Sequence, residues 1–205
     1  MGMFGVGSRR KLVPTRWSIT AVDSTISERL LEEIKHLPTI DDFRVHTFRY
    51  IDNTYVVMLM PANWCYESIE AWFPGTAWNE AGHYPAMMGD YEGYHGRTTY
   101  ASIGGCYYAC RLAIAEHLIR ERKQSAALVL REIHPGYILP VGVWNVRESV
   151  RAALSESPAR FDNFHSALDF AMTHLSIPRK AWLQSSQMLR EAFFQRRISN
   201  YFRAE

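Results

Sequence analysis

Two β-rich runs on either side of a short turn place the strongest limit on the fold of this chain. The runs span residues 43–50 and 55–60, and Asp52-Asn53 between them accept turn conformations at little cost. The pattern predicts a β-hairpin, and therefore a sheet with at least one antiparallel pair. A third strand is predicted at residues 66–73.

Helical patterns alternate with these strand-length runs. Thr25 and Glu28 have the spacing of a capping box, which predicts that a helix begins there. Apolar residues at three- and four-residue spacing after Gly104-Gly105 predict a second helix at residues 106–123. The other predicted elements are strands at 126–133 and 137–143, a short helix capped by Asn145, helices at 164–175 and 179–194, and a long loop at 74–97.

Composition favours one compact folded body. The chain has 205 residues, of which 47% are hydrophobic and 13% aromatic, so it can build a substantial core. We expect an α+β domain at residues 1–192, with a mixed or antiparallel sheet, packed helices and a helical C-terminal region. A basic docking tail is expected to follow at residues 193–205. The tryptophans predicted to lie in the core are Trp17, Trp64, Trp72, Trp78 and Trp144.

The sequence carries no signal for a membrane or for secretion. No apolar stretch reaches the roughly 18 to 20 residues that a bilayer span requires, and residues 1–10 lack the apolar segment of a secretory signal. Cys65, Cys106 and Cys110 are an odd number without a C-x-x-C pair, which favours reduced thiols. We therefore expect a cytoplasmic protein with no membrane partner.

The most informative short motif is Gln195-Arg-Arg-Ile198-Ser-Asn-Tyr201-Phe202. It matches the pattern Q-x-x-[I/L/M]-x-x-[F/Y]-[F/Y] at every constrained position. One helical turn brings Ile198, Tyr201 and Phe202 to one side as an apolar plug, and the Gln195 amide lies one turn earlier. The alternative is the last turn of an amphipathic helix that packs on its own core. A near-match at residues 187–194 has Arg190 at the aliphatic position and is interpreted as ordinary helix.

Charge around this motif favours an acidic partner. Residues 179–205 hold six arginines and lysines against two glutamates, a local charge of +4 within a chain whose formal net charge is only +2. Because the net charge of the whole chain is small, nucleic-acid binding would have to come from local basic patches.

The motif resembles the PIP box, the peptide through which replication and repair proteins dock on the sliding clamp PCNA. Three longer blocks, at residues 10–23, 104–113 and 140–148, resemble the C-terminal part of the archaeal Nre family of DNA repair proteins. This resemblance implies a role in DNA-damage repair with PCNA as partner. It makes Gln195, Ile198, Tyr201 and Phe202 the clamp-binding residues.

One feature typical of the family does not carry over. Its members typically have paired cysteines that look like a zinc site, and no such pair precedes Arg9. Zinc binding is therefore not implied for this chain, and no cofactor is predicted.

A second candidate site combines a loop with the start of a helix, between residues 83 and 116. Free backbone amides at a helix start can hold a phosphate, and the tyrosines of the loop can stack on a base. The candidate phosphate- or DNA-binding residues are Arg97, Gly104, Gly105 and Arg111. The alternative is a polar loop tied down by its own side chains.

The sequence pattern that would indicate a catalytic site is weaker than the clamp-binding motif. His95, Arg97 and Glu148 are candidate catalytic residues, because a glutamate near an arginine and a histidine suits acid–base chemistry or ribosyl transfer from a dinucleotide. A DNA- or nucleotide-modifying enzyme, for example a nuclease, is thus the alternative to a clamp-recruited repair factor, and a scaffold is a third possibility. Each of these charged residues is equally well explained as an ion-pair partner.

One helix carries three potential metal ligands at suitable spacing, namely Cys106, Cys110 and His117. Small residues beside Ala109 and Ala113 are more typical of close helix packing. No metal site is predicted.

Overall fold

A computed structural model describes residues 2–4, 11–138 and 142–194. The strands are β1 (Gly2–Phe4), β2 (Lys11–Val13), β3 (Phe43–Tyr50), β4 (Asn53–Met60), β5 (Tyr66–Trp72), β6 (Ala86–Glu92), β7 (Ala126–Ile133) and β8 (Ala159–Phe161). The helices are α1 (Thr15–Ile34), α2 (Gly105–Glu121), α3 (Gly142–Ser155), α4 (Phe164–Thr173), α5 (Arg179–Ser185) and α6 (Gln187–Phe194). No helix in the described ranges combines the length and apolar character needed to cross a membrane.

Six of the strands form one mixed sheet in the order β6-β5-β7-β4-β3-β8, and β1 pairs with β2 separately. Neighbours in the large sheet are antiparallel except β5 and β7, which run parallel. A parallel pair needs a long crossover connection, and β6 and α2 supply it. The predicted α+β class with a mixed sheet is confirmed.

The predicted hairpin is confirmed, with its turn one residue earlier than expected. Tyr50 pairs with Asn53, so the loop consists of Ile51 and Asp52, which have φ of 45° and 52°. Positive φ at both positions matches the twist of the flanking strands. Asn53 belongs to β4 instead, because its buried side-chain oxygen accepts hydrogen bonds from Arg131 at 2.9 and 2.6 Å.

The sheet separates two hydrophobic cores. On one face, Tyr55, Val57 and Leu59 of β4 pack with α1, α2 and α3. On the other face, Val56, Met58 and Met60 pack with α4, α5 and α6. Because β4 is buried on both sides, residues 55–60 form an apolar run without alternation.

The tryptophan prediction is only partly correct. Trp64 and Trp72 are buried, whereas the exposed fractions of Trp17, Trp78 and Trp144 are 58%, 76% and 56%. Trp17 and Trp144 lie in the first turns of α1 and α3, and Trp78 lies between β5 and β6. The sheet does not cover these positions, so their side chains remain at the surface.

The first helix begins at Thr15 and not at Thr25, so the capping-box prediction is wrong. The Thr25 hydroxyl donates to the carbonyl of Ala21 at 2.8 Å, as a side chain in the middle of a helix does. At the true start, the amides of Trp17 and Ser18 donate to the Pro14 carbonyl.

Two further predictions are wrong. Strand β6 lies inside the segment 74–97 that was expected to be a loop. The strand expected at residues 137–143 is absent from its described part, because residues 137–138 are irregular and α3 begins at Gly142. Asn145 therefore lies inside α3 and does not cap it.

The C-terminal helical region is confirmed, but as two helices instead of one. The break falls at Ser186 because the buried Glu67 carboxylate of β5 binds the start of α6. It accepts hydrogen bonds from the Ser186 hydroxyl at 2.6 Å and from the amides of Gln187 and Met188 at 2.8 and 2.9 Å. The near-match at residues 187–194 thus forms a helix, as expected.

Candidate functional site

The clamp-binding motif lies outside the described residues. Helix α6 ends at Phe194, immediately before Gln195. The clamp-binding role therefore stays a prediction for Gln195, Ile198, Tyr201 and Phe202. The described structure shows only the helix that precedes the motif.

The second candidate region is built on β6 and α2. Tyr66 of β5 pairs with Glu92, and Ser68 pairs with Asp90, so both carboxylates of β6 lie on the face of the sheet that α2 covers. Glu92 is buried and receives three hydrogen bonds. Its donors are Arg111 Nη1 at 2.7 Å, the Tyr107 hydroxyl at 2.9 Å and Trp64 Nε1 at 3.2 Å.

Arg111 links α2 to α1. Its remaining donors bind the hydroxyls of Ser24 and Ser27 at 3.1 Å and Glu28 Oε1 at 3.2 Å. Burial opposes the charge of Arg111, but Glu92, Tyr107 and Glu28 together outweigh burial and raise the pKa of the guanidinium. Arg111 is thus a buried cross-link, and its donors are directed at groups of the protein.

Arg97 ties down the loop between β6 and α2. Its guanidinium binds Asp90 Oδ1 at 2.9 Å and the Tyr91 carbonyl at 2.9 Å, and it lies 5.2 Å from the ring centre of Tyr107. Asp90 also accepts from the Ser102 hydroxyl and the Ile103 amide at 2.7 and 2.9 Å. The geometry matches the alternative of a polar loop held by its own side chains, and phosphate binding by Arg97 and Arg111 stays a prediction.

Gly104 and Gly105 allow three helices to meet. Gly104 has a φ of 66°, which favours glycine. A Cβ on Gly105 would lie 2.5 Å from Val143 Cγ1 of α3 and 2.8 Å from the Thr20 hydroxyl of α1. Gly104 therefore serves the backbone conformation and Gly105 the close packing of the helices, and phosphate binding at their amides stays a prediction.

The candidate catalytic residues lie in separate networks. His95 follows Tyr94, whose hydroxyl donates to the Lys35 carbonyl at the end of α1. Glu148 of α3 binds Arg151 at 2.8 Å, and its neighbour Arg147 binds Asp23 of α1 at 2.5 Å. Residues 23 and 35 are about 18 Å apart along a helix. The structure therefore does not bring His95 and Glu148 together.

The two cysteines of α2, the half-buried Cys106 and the buried Cys110, have the environment of protonated thiols. Burial raises the pKa of Cys106, and the nearby Glu70 carboxylate raises it further. Burial raises the pKa of Cys110 to about 12. The His117 ring lies beside Glu121, 3.3 Å from its carboxylate, and contacts His46 edge-on. Among the described residues, no three His, Cys, Asp or Glu side chains are grouped so that they could hold a metal ion.

One surface feature was missed from the sequence, an aromatic groove of about 530 Å³ between α1 and the end of the loop. Residues lining the aromatic groove are Trp17, Thr20, Ala21, Ser24, Thr25, Tyr100 and Tyr108. The ring centres of Tyr100 and Tyr108 are 5.3 Å apart, and the Tyr108 hydroxyl accepts from the Ala101 amide at 3.0 Å. The sequence predicts Trp17 to lie in the core. The one feature of the sequence that could have indicated a surface role is the basic segment just before Trp17.

Comparison with protein families gives two matches. Residues 1–79 match the model described as "Archaeal Nre, N-terminal", and residues 92–201 match "Archaeal Nre, C-terminal". The block at residues 10–23 thus falls within the N-terminal model. The sequence predicts a resemblance to the C-terminal part of the family, and the matches cover the N-terminal part as well.

Three curated relatives share the region. They are the DNA repair protein NreB of Archaeoglobus fulgidus (46% identical over 185 residues, 90% of this chain and 47% of that protein), the DNA repair protein NreA of Haloferax volcanii (41% over 180 residues, 86% and 42%) and the DNA repair protein NreA of Archaeoglobus fulgidus (37% over 195 residues, 94% and 49%). The chain spans about half the length of these relatives. No solved structure matches.

Proposed function

Since the chain belongs to the archaeal Nre family, we propose that it acts in DNA-damage repair and is recruited to DNA by the sliding clamp PCNA. Relatives that match 86% to 94% of the chain carry the name DNA repair protein, which supports the repair role. The observation that carries the clamp interaction is the match of residues 195–202 to the clamp-binding pattern at every constrained position.

The anchoring of α6 supports this proposal. Three hydrogen bonds from Ser186, Gln187 and Met188 to Glu67 fix the start of α6 to the sheet. The motif begins directly after the last residue of that helix. Few freely rotating residues would then separate the folded body from a bound clamp, so docking would hold the body close to DNA.

Calorimetry with the cognate PCNA tests the clamp interaction. We expect the 205-residue chain to bind with a Kd of about 1 µM or tighter, which corresponds to about −8 kcal/mol. The triple variant Ile198→Ala/Tyr201→Ala/Phe202→Ala removes the apolar plug and is expected to lose this binding, while its circular dichroism stays that of the native chain.

The near-match in α6 provides a matched control. Gln187→Ala alters a half-buried glutamine whose side chain binds Glu191 within α6, whereas Gln195→Ala alters the predicted amide anchor. Gln195→Ala should weaken clamp binding and Gln187→Ala should leave it unchanged. Equal binding by native chain and triple variant, or no binding by either, contradicts clamp docking through this motif.

The second candidate function is a DNA- or nucleotide-modifying enzyme with its site between residues 83 and 116. The aromatic groove favours it, because Tyr100 and Tyr108 belong to this segment. Alanine at His95 and Glu148 should then abolish repair activity with the fold intact, whereas a recruited factor without catalysis should tolerate both changes. Arg97 is left unaltered because it holds the loop.

A further inference from the structure

We propose that the aromatic groove binds an unpaired base of single-stranded DNA. This inference rests on the proposed function only in the choice of DNA as the ligand. It does not depend on clamp docking, which uses a different segment of the chain.

The lining of the groove has the chemistry of a base-binding site. Trp17, Tyr100 and Tyr108 present aromatic rings, and Thr20, Ser24 and Thr25 present hydroxyls along one side of α1. Rings stack on the face of any base. The hydroxyls of Ser24 and Thr25 already donate to Glu28 and to the Ala21 carbonyl, so their oxygens can only accept from a base edge. The volume of about 530 Å³ lies within the range of small-ligand sites.

The back wall of the groove is held in place before any ligand arrives. The Tyr108 hydroxyl is bound by the Ala101 amide, and the Arg111 guanidinium lies 5.2 Å from the Tyr108 ring centre. Arg111 is itself fixed by the buried Glu92. A ligand therefore meets a wall that loses little conformational entropy on binding.

The outer rings of the groove are largely open to solvent. The exposed fractions are 58% for Trp17 and 64% for Tyr100. Stacking a base on these rings would remove apolar surface from water at little cost in ordering, because an aromatic side chain has few rotatable bonds.

The sequence that leads into α1 is basic, which favours a polyanion such as DNA as the ligand. Residues 1–22 contain Arg9, Arg10, Lys11 and Arg16 and no acidic residue, a charge of +4. Strand β2 ends at Val13, and Trp17 lies in the first turn of the helix that follows. Phosphates on either side of a stacked base would meet the positive end of the α1 dipole.

Other partners fit the lining less well. A groove that binds an amphipathic protein helix is hydrophobic along its length, whereas three of the seven described residues that line this groove carry hydroxyls on aliphatic stems and Ala21 is the one purely aliphatic residue among them. In duplex DNA the faces of the bases are stacked on each other and are not offered to a protein ring. The lining thus favours a single strand.

Fluorescence anisotropy with a labelled oligothymidine at low salt tests the proposal. We expect the 205-residue chain to bind it more tightly than a duplex of equal length, and Trp17→Ala to weaken binding between about 5- and 100-fold. Trp17→Phe keeps a ring and should retain most of the affinity. Trp78→Ala removes an exposed tryptophan outside the groove and should bind as the native chain does. Circular dichroism of each variant reports its fold.

Four results with oligonucleotides would overturn the proposal. They are no binding of oligothymidine by the native chain, equal weakening by Trp17→Ala and Trp78→Ala, tighter binding of duplex than of single strand, and tighter binding of an RNA oligonucleotide. Loss of PCNA binding in Trp17→Ala with oligothymidine binding unchanged would assign the groove to a protein partner and would also overturn it.

Discussion

The two faces of the sheet use buried carboxylates in different ways. On the face covered by α1, α2 and α3, Glu92 and Glu70 pair with Arg111 and Arg131 at 2.7 and 2.6 Å. On the face covered by α4, α5 and α6, the Glu67 carboxylate binds backbone amides at the start of α6. Of the two ion pairs, Glu92–Arg111 braces Tyr108 in the wall of the aromatic groove. The Glu67 carboxylate fixes the helix that leads to the clamp-binding motif.

This difference shows how one sheet can support two separate surfaces. A buried ion pair is costly to break because the remaining charge is left without a partner. A carboxylate that caps a helix start is easier to replace, because an amide side chain keeps part of the hydrogen bonding. The proposed DNA-binding and clamp-binding segments are thus supported by networks that can be altered independently.

The largest expected effect comes from the ion-pair face. Arg111→Met should lower the free energy of unfolding by about 3–5 kcal/mol, because Glu92 would stay buried without its cation. Urea unfolding measures this loss. Combining Arg111→Met with Glu92→Gln removes the stranded charge and should recover part of it. A loss below about 1 kcal/mol in the single variant would mean that the pair does not brace this face.

Low pH should destabilise the fold through His46, which lies on the face of the sheet that α1, α2 and α3 cover. Burial, followed by the neighbouring His117, lowers the pKa of His46 to about 4. Between about pH 6.5 and pH 4 the unfolded chain binds this proton and the folded chain does not, so stability falls as the pH falls. Acidification from about pH 6.5 to pH 4 should therefore lower the free energy of unfolding by about 3 kcal/mol through His46 alone.

Thermal unfolding at several pH values measures the His46 effect. His46→Gln should flatten the profile between about pH 6.5 and pH 4. An unchanged slope in that variant would assign the acid sensitivity to other groups, such as His117, whose ring contacts that of His46.

A smaller effect is expected on the helix-capping face. Glu67→Gln should cost about 1–2 kcal/mol, because the amide oxygen still accepts but the charge that strengthens these bonds is lost. Hydrogen exchange at the amides of Gln187 and Met188 should accelerate, while oligothymidine binding stays unchanged. Faster exchange at Tyr108 as well would show that the two faces are coupled.

The smallest effect is expected from a surface pair that belongs to neither network. Arg29 and Glu32 are bound at 2.5 Å, but their side chains are largely exposed. Arg29→Ala should change the free energy of unfolding by no more than about 0.5 kcal/mol. A larger loss in urea unfolding would mean that exposed charges also hold α1 in place.

Local patterns allowed the elements with strong periodicity to be predicted. The β3–β4 hairpin and α2 follow from apolar spacing and glycines that act within a few residues. Strand β6 was missed because its sequence contains Gly89 and no β-branched residue, and it pairs only because β5 lies beside it. A Cβ at Gly89 would lie 2.7 Å from Ile69 Cγ1, so this glycine permits the close approach of the two strands.

The candidate site depends more on contacts between distant residues. Arg97 and Arg111 were recognised as informative charges, but their binding to Asp90 and Glu92 follows from the pairing of β6 with β5. The exposure of Trp17 follows from where α1 lies against α2, which apolar spacing does not encode. The clamp-binding motif was predictable because all its constrained residues lie within one short segment.

The most direct test of the account is a calorimetric titration of the cognate PCNA into the 205-residue chain and into Ile198→Ala/Tyr201→Ala/Phe202→Ala. The account predicts binding at about 1 µM or tighter by the native chain. It also predicts no measurable heat of binding for the variant, which should still bind oligothymidine as the native chain does. Equal PCNA binding by both chains, or none by either, would contradict recruitment through the C-terminal motif.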